Sequence, residues 1–231
     1  MKVEPALKEN ESRKEKIFAD RARTNILREG EQSLIFYLLK KTPVWIKPNG
    51  MTFIGMIGSL IVFLSFLAAH FITVNWLLLG LAGLFINWIG DSLDGRLAYF
   101  RGIPRKWYGF SLDIIMDWLS IILIGLGYYF YAPIATKVFS FLFVVLYGWS
   151  MIISLLRYKI TGHYQIDSGK LGPTELRVIV SIILLLETIF PGSIGYLAAA
   201  IVALLFIINL SDTAKLLKAG NIRDRDEQKY N

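Results

Sequence analysis

Four aspartates stand close together near the middle of the chain: Asp91, Asp94, Asp113 and Asp117. The first two are three residues apart and the last two are four apart, so on helices each pair points from one face. Carboxylates gathered at one point repel one another unless a cation balances them. Hard divalent cations suit an all-oxygen site, and two such ions clamp a pyrophosphate during phosphoryl transfer. The spacing therefore predicts a centre for two Mg²⁺ or Mn²⁺ ions.

A simpler alternative is that nearby basic residues pair with these aspartates at a membrane surface. Four basic side chains lie in the same stretch: Arg96, Arg101, Arg105 and Lys106. Small residues, however, lie among the acids: Gly95, Ala98 and Gly109. Small residues let a ligand approach the backbone closely. We therefore favour a ligand site over simple ion pairing for the four aspartates together.

Long uncharged blocks are the elements that must position these acids. Hydrophobic residues make up 55% of the 231 residues and charged residues only 19%. A bilayer core about 30 Å thick needs roughly 20 apolar residues in a helix, and lipid leaves helices as the default. We predict an all-α integral membrane protein with six transmembrane helices, at about 51–69, 73–98, 109–131, 134–157, 173–190 and 193–211. Glu187, in the fifth span, is expected to lie at the interface or against lipid.

The basic residues predict the topology. Of 25 Lys and Arg residues, only Lys137 lies beside a link on the side opposite the termini. The positive-inside rule then places both termini and the aspartates on the cytoplasmic side of the inner membrane. The first apolar block begins only at residue 51, so no cleavable signal peptide is expected. The net charge is +7, but no separate soluble domain is expected to carry it, which argues against nucleic-acid binding.

Composition excludes several kinds of site. The chain has no cysteine and only two histidines, so disulfides, thiolate nucleophiles, zinc–thiolate sites and multi-histidine metal sites are excluded. We divide the chain into a cytoplasmic and interfacial segment (1–47), a six-helix membrane domain (48–212) and a polar cytoplasmic tail (213–231). Residues 11–28 suggest a polar helix. Residues 30–47 are predicted to lie in the membrane interface, although a solvated extension is the alternative.

The aspartates fall in a longer pattern that resembles the signature of the CDP-alcohol phosphotransferase family. The stretches are D-S-L-D-G-R-L-A from Asp91 and G-F-S-L-D-I-I-M-D from Gly109, against the family's D-x-x-D-G-x-x-A-R and G-x-x-x-D-x-x-x-D. A second stretch, from Pro48 to Gly55, is similar to the P-N-x-x-T-x-x-G that opens the family's first membrane helix. The resemblance covers about residues 45–211. It departs at Tyr99, where the family has arginine, and in a gap of nine residues before Gly109.

The resemblance implies roles for these residues. All four aspartates would ligate two metal ions, and Asp117 would also take the proton from the acceptor hydroxyl. Donor-nucleotide contacts are expected from Asn49, Thr52, Asp94, Gly95, Ala98, Arg101 and Gly109. Helix capping is the alternative for Asn49 and Thr52, because both stand where the first helix begins. The departure at Tyr99 leaves open which basic side chain contacts the donor phosphates.

The acceptor side is expected on the cytoplasmic ends of the next helices, at Arg157, Lys170 and Arg177, although these residues also satisfy the positive-inside rule. The implied reaction moves a phosphatidyl group from CDP-diacylglycerol to a small polar alcohol and releases CMP. The alternative is transfer of a phosphocholine- or phosphoethanolamine-type head group to diacylglycerol. A transporter with an acidic cation site is the alternative of another class. A homodimer is expected from the resemblance only.

Overall fold

The protein is helical throughout the part that the computed structural model describes, which is residues 28–162 and 172–230. No strand occurs in these two ranges. Short 3-10 turns, Val74–Trp76 and Ile134–Thr136, lead into two of the helices. The described residues form seven α-helices: α1 Arg28–Lys41, α2 Pro48–Phe71, α3 Leu77–Phe100, α4 Lys106–Tyr131, α5 Val138–Thr161, α6 Pro173–Ile189 and α7 Ile194–Tyr230.

Five of these helices are long and apolar enough to cross a membrane: α2, α3, α4, α5 and α7. The prediction of a multi-pass all-α membrane protein is thereby confirmed at this coarser level. Helix α6 occupies the predicted fifth span but has only 17 residues. At 1.5 Å per residue it is about 26 Å long, somewhat less than the bilayer core. The count of six spans therefore stays a prediction.

The apolar pattern predicted that the last membrane helix ends near residue 211, but the helix is longer. Helix α7 continues without a break to Tyr230 and has 37 residues. Its length of about 55 Å exceeds the thickness of the bilayer core. The guanidinium of Arg223 donates hydrogen bonds to the carbonyls of Lys159 and Ile160, at 2.8 and 2.9 Å. These bonds satisfy carbonyls that the end of α5 leaves open, so the polar tail is a helical extension docked on its neighbour.

Helices α2 and α3 touch along a seam of glycines. A Cβ added to Gly90 would lie 2.3 Å from the backbone nitrogen of Gly55, and one added to Gly58 would lie 2.4 Å from that of Asn87. Small residues let membrane helices approach at backbone distance, where van der Waals contact holds them together. The seam fixes how α3 sits along α2, and it thereby places the first two aspartates beside the start of α2.

Helix α1 packs against the C-terminal half of α3. Ile35 and Leu39 are buried there with Leu93 and Leu97. The hydroxyl of Thr174, at the start of α6, donates a hydrogen bond to the carboxylate of Glu31 at 3.1 Å. The structure thus describes a helix in the segment predicted to be interfacial, whose position in the membrane interface stays a prediction. The polar helix predicted over 11–28 falls almost wholly outside the described residues.

The expectation that Glu187 lies at the interface or against lipid is wrong. Its side chain is only 2% exposed. Its carboxylate accepts hydrogen bonds from the Tyr131 hydroxyl at 2.7 Å and from the backbone amides of Gly192 and Ile194 at 2.9 and 2.7 Å. A carboxylate bound to amides at a helix start is favourable. Glu187 therefore joins the ends of α4 and α6 to the start of α7.

Candidate active site

The aspartates of α3 and α4 converge as predicted. Asp91, Asp113 and Asp117 each offer a carboxylate oxygen, and these oxygens all lie within 4.8 Å of one another. Asp94 lines the same small crevice. We call these four side chains the aspartate cluster. Antiparallel neighbouring helices with acids at i,i+3 and i,i+4 produce this arrangement, since each pair occupies one helix face.

Asp94 differs from the other three aspartates in its contacts. Its side chain is buried, and it accepts hydrogen bonds from the Thr52 hydroxyl at 2.9 Å and from the backbone amide of Gly95. The Thr52 hydroxyl also lies 3.4 Å from the backbone carbonyl of Pro48, one turn earlier in α2. The bond to Thr52 joins Asp94 to the start of α2. The other three carboxylates, those of Asp91, Asp113 and Asp117, form the tightest group.

Arg177 reaches the aspartate cluster from α6. Its guanidinium lies 2.9 Å from a carboxylate oxygen of Asp91 and 3.6 Å from one of Asp117. The Nε of Arg177 also donates a hydrogen bond to the side-chain oxygen of Asn87 at 2.7 Å. The sequence had assigned Arg177 to the acceptor. The structure instead places its charge against the carboxylates, where it holds their orientation.

Asn87 is a site residue that the sequence reasoning missed. Its side chain is 4% exposed and donates hydrogen bonds to the Gly55 carbonyl at 3.1 Å and the Ser59 hydroxyl at 2.9 Å. It therefore joins α2, α3 and α6 directly beneath the cluster. A signal was available, because Asn87 is a polar residue in an apolar block, four positions before Asp91 and hence on the same helix face.

The residues of the cluster fit a divalent cation. Its ligand atoms are carboxylate oxygens, which Mg²⁺ and Mn²⁺ prefer. The guanidinium of Arg177 brings one positive charge to the carboxylates of Asp91, Asp113 and Asp117, whose oxygens lie within 4.8 Å of one another. Asp91, Asp113 and Asp117 would hold such an ion most directly, and Asp94 stands beside them in the same crevice.

A cavity of about 300 Å³ opens next to the cluster, between the start of α2, the end of α3 and the start of α4. We call it the polar cavity. A Cβ added to Gly109 would meet nothing within 4 Å, so this glycine leaves open space. The cavity is lined by six of the predicted donor contacts, namely Asn49, Thr52, Asp94, Gly95, Ala98 and Gly109, together with Tyr99, Arg105 and Asp113 among others.

This arrangement coincides with a known sequence family. The model of the CDP-alcohol phosphatidyltransferases matches residues 45–209, which include α2 to α6 and the first turns of α7. The chain belongs to the CDP-alcohol phosphatidyltransferase family. Family membership makes it a transferase of substituted phosphate groups that moves a phosphatidyl or phosphoalkyl group from a CDP-alcohol, generally with a divalent metal. It also favours the transferase over the transporter alternative.

One curated relative of this chain is an inner membrane protein. The inner membrane protein YnjF of Escherichia coli (strain K12) is 33% identical to this chain over 88 residues. The aligned part covers 38% of this chain and 39% of that protein. Because the match spans well under half of the relative, it supports the membrane character of this chain but carries no information about its substrates.

Asn49 does not cap the first transferase helix. Lys47 is the N-cap residue of α2, and no side-chain capping bond is present there. The side-chain amide of Asn49 instead donates a hydrogen bond to the Tyr108 hydroxyl at 3.1 Å, and its oxygen accepts one from Arg105. The capping alternative for Asn49 is therefore wrong, and its side chain belongs to the wall of the polar cavity.

Arg101, in contrast, is not part of the cavity wall. Its guanidinium donates hydrogen bonds to the backbone carbonyls of Pro43 at 2.8 Å, Val44 at 3.3 Å and Ile46 at 2.5 Å. These bonds tie the link between α1 and α2 to the end of α3. The expectation that Arg101 contacts the donor nucleotide does not agree with this placement, because its donors are directed at the backbone.

The predicted acceptor residues do not form one cluster. Arg157 pairs with Asp212 of α7, at 3.3 Å, and Arg177 belongs to the aspartate cluster. Lys170 lies outside the described residues. A second cavity, of about 100 Å³, lies between α4, α5, α6 and α7 beside Asp117. We call it the apolar cavity, and its walls include Tyr147, Met151, Ser154, Leu176, Leu204 and Leu205.

Proposed function

We propose that this chain transfers the phosphatidyl group of CDP-diacylglycerol to the hydroxyl of a small polar alcohol and releases CMP in phospholipid synthesis. The supporting observation is that two residues of the aspartate cluster, Asp94 and Asp113, line a polar cavity of about 300 Å³, which has room for part of a nucleotide donor. Family membership supplies the reaction class, and the donor and the acceptor are the proposal.

The step requires attack by the acceptor oxygen on the phosphorus that carries the diacylglycerol. A new P–O bond forms there, and the bond from that phosphorus to the oxygen bridging the two phosphates breaks. CMP leaves with the bridging oxygen. Asp117 accepts the hydroxyl proton, because it is the cluster residue that also lines the apolar cavity on the other side of α4.

The four cluster residues, Asp117 among them, would hold the metal. When two Mg²⁺ or Mn²⁺ ions are bound, they supply positive charge for the donor phosphates and for the departing CMP. Arg177 and Asn87 keep the carboxylates in place from α6 and α3. Thr52 orients Asp94 through its hydroxyl, so the start of α2 takes part in forming the site.

We propose that the site faces the cytoplasm of an inner membrane. The cluster lies at the end of the helix bundle where the basic residues gather, and Lys137 lies at the other end. Both termini would then be cytoplasmic. A homodimer is proposed from family membership only. Blocking of single cysteines, placed at residues 104 and 133, by a membrane-impermeant reagent in intact cells tests the sidedness.

The test of the reaction is CMP release by purified protein in detergent. Labelled CDP-diacylglycerol is supplied with Mg²⁺ or Mn²⁺ and one of glycerol 3-phosphate, serine, inositol or inositol phosphate. We expect acceptor-dependent release that EDTA and Asp117→Asn abolish. Asp226→Asn is the matched control, because Asp226 is an exposed acid far along α7. No release with any of these acceptors would exclude the proposed acceptor class.

A second candidate is transfer of a phosphocholine- or phosphoethanolamine-type head group to diacylglycerol. The apolar cavity favours it, since leucines and Met151 beside Asp117 suit a hydroxyl that is carried on a lipid. The same assay with CDP-choline or CDP-ethanolamine and diacylglycerol decides between the two. CMP release from these donors alone would assign the chain to this second reaction.

A further inference from the structure

The negative charge of the proposed donor must be balanced inside the polar cavity. A CDP-activated substrate carries a diphosphate, and the aspartate cluster lies at only one side of the cavity. Metal ions held by the cluster would supply positive charge at one end of that diphosphate. The rest of its negative charge needs a cation or backbone amides on the cavity wall. The question is which side chain of this chain provides that cation.

Two obvious candidates fail. Position 99, where the family signature has arginine, holds Tyr99, which lines the polar cavity but carries no positive charge. Arg101 is the next arginine along the chain. Its guanidinium is directed at the backbone carbonyls of Pro43, Val44 and Ile46. It therefore holds the link between α1 and α2 and does not face the donor.

Arg105 meets the requirement. It lines the polar cavity at the start of α4, within the same wall as Asp94 and Asp113. Within the described part of the chain, its side-chain partners are neutral: it donates a hydrogen bond to Asn49, and its guanidinium carbon lies 4.3 Å from the centre of the Tyr108 ring. Unlike Arg157 and Arg177, which pair with aspartates, Arg105 carries a charge that no described carboxylate neutralises.

The contacts of Arg105 also fix its orientation. Asn49 accepts from Arg105 and donates to the Tyr108 hydroxyl at 3.1 Å, so the three side chains form a closed set at the cavity mouth. The face of the Tyr108 ring attracts the guanidinium, and the hydrogen bond to Asn49 fixes it from a second side. A guanidinium in this state presents a planar fork that matches phosphate oxygens, which the flexible ammonium of Lys106 does not.

From these observations we infer that Arg105, held by Asn49 and Tyr108, is the cation that binds the donor diphosphate in place of the signature arginine missing at position 99. The inference rests on the proposed function, because it presupposes a CDP-activated donor. It assigns a role to a side chain outside the family signature, and it explains why Asn49 points into the cavity instead of capping α2.

Equilibrium binding of CDP and CMP in the presence of Mg²⁺ tests the inference without turnover. We expect Arg105→Gln to raise the Kd for CDP about 10- to 100-fold, the range for lost charge-assisted hydrogen bonds. The Kd for CMP should rise less, because CMP lacks the second phosphate. Arg105→Lys should recover part of the loss. Adding Tyr99→Arg to Arg105→Gln should also recover part of it, since both positions line one cavity.

Arg101→Gln is the matched comparison. It removes an arginine four residues away that bonds only to backbone carbonyls among the described residues. We expect a lower thermal midpoint with an unchanged Kd for CDP. Melting curves of all variants confirm that the proteins compared are folded.

Several outcomes would overturn the inference. Unchanged CDP binding by folded Arg105→Gln would remove Arg105 from the site, as would a loss seen in Arg101→Gln or Lys106→Gln instead. These results would leave the proposed function intact, because the wild-type protein would still bind CDP. Failure of the wild-type protein to bind either nucleotide would overturn the proposed function and the inference together.

Discussion

The polar cavity, of about 300 Å³, and the apolar cavity, of about 100 Å³, meet helix α4 one turn apart. Asp113 faces the first and Asp117 the second. The polar cavity is lined by small residues and by side chains with fixed hydrogen bonds, such as Asn49, Thr52 and Arg105. The apolar cavity is bounded mainly by aliphatic side chains of four helices. One side therefore specifies its ligand by charge and hydrogen bonds, and the other selects by size and hydrophobicity.

The sharpest test of this division is to change the two aspartates separately. We expect Asp113→Asn to weaken Mg²⁺-dependent CDP binding and to lower CMP release together. Asp117→Asn should retain most CDP binding and lower CMP release about 10²- to 10⁴-fold, the usual effect of losing a general base. Binding and single-turnover measurements on the same preparations separate the effects. Equal loss of CDP binding in both variants would show that the two cavities are not functionally distinct.

The glycine seam offers a second test, directed at the support of the polar cavity. Gly90→Ala places a methyl group 2.3 Å from the backbone of α2, so the two helices must separate. Overpacking of this kind costs about 1–3 kcal/mol. We expect a lower thermal midpoint and weaker CDP binding. In Gly50→Ala, the control, the new Cβ lies 3.7 Å from Ile46, an ordinary contact. A stable Gly90→Ala variant would contradict the close approach of the helices.

Gly109→Ala is expected to act on binding without acting on folding. Its added methyl would meet no protein atom within 4 Å and would lie in open space at the polar cavity. We expect an unchanged thermal midpoint and CDP affinity reduced about tenfold, equivalent to about 1.4 kcal/mol of steric conflict. Unchanged CDP affinity in this variant would mean that the nucleotide does not reach this part of the wall.

The apolar cavity should give the smallest effect, and on the acceptor alone. Ser154→Phe fills part of it, so we expect the KM for the acceptor to rise several-fold while the Kd for CDP stays the same. The control is Ile152→Phe, because Ile152 is 56% exposed on the outside of the same helix. An increase in the CDP Kd for Ser154→Phe would place the donor, not the acceptor, in the apolar cavity.

The sequence predicted the convergence of the aspartates because helical spacing alone brings them to one face of α3 and one face of α4. The small residues of the polar cavity followed from the same pattern. The assignments of Arg101 and Arg177 could not be made this way. A long side chain reaches several partners, and which one it meets depends on how helices pack, which is a property of tertiary contacts that spacing does not encode.

The fold shows the same limit. Apolar blocks predicted the positions of the membrane helices, because lipid demands length and hydrophobicity. They did not predict the extension of α7 to Tyr230, since a polar helix held by Arg223 against α5 has no apolar signature. Glu187 was misassigned for a related reason. Its partners come from the end of α4 and the start of α7, and only the assembled bundle shows that a charge is buried among them.

Asp113 and Asp117 are four residues apart on α4, so the helix fixes their separation along its axis. At 1.5 Å per residue, the Cα atoms of the two aspartates are offset by about 6 Å along the helix axis, while their carboxylates approach one another within 4.8 Å. In the proposed reaction, the donor and the acceptor would therefore lie about one helical turn apart along α4. Inserting a single residue between them would rotate one carboxylate by about 100° relative to the other. Each substrate would then keep its own binding wall, while the two halves of the chemistry would face different directions.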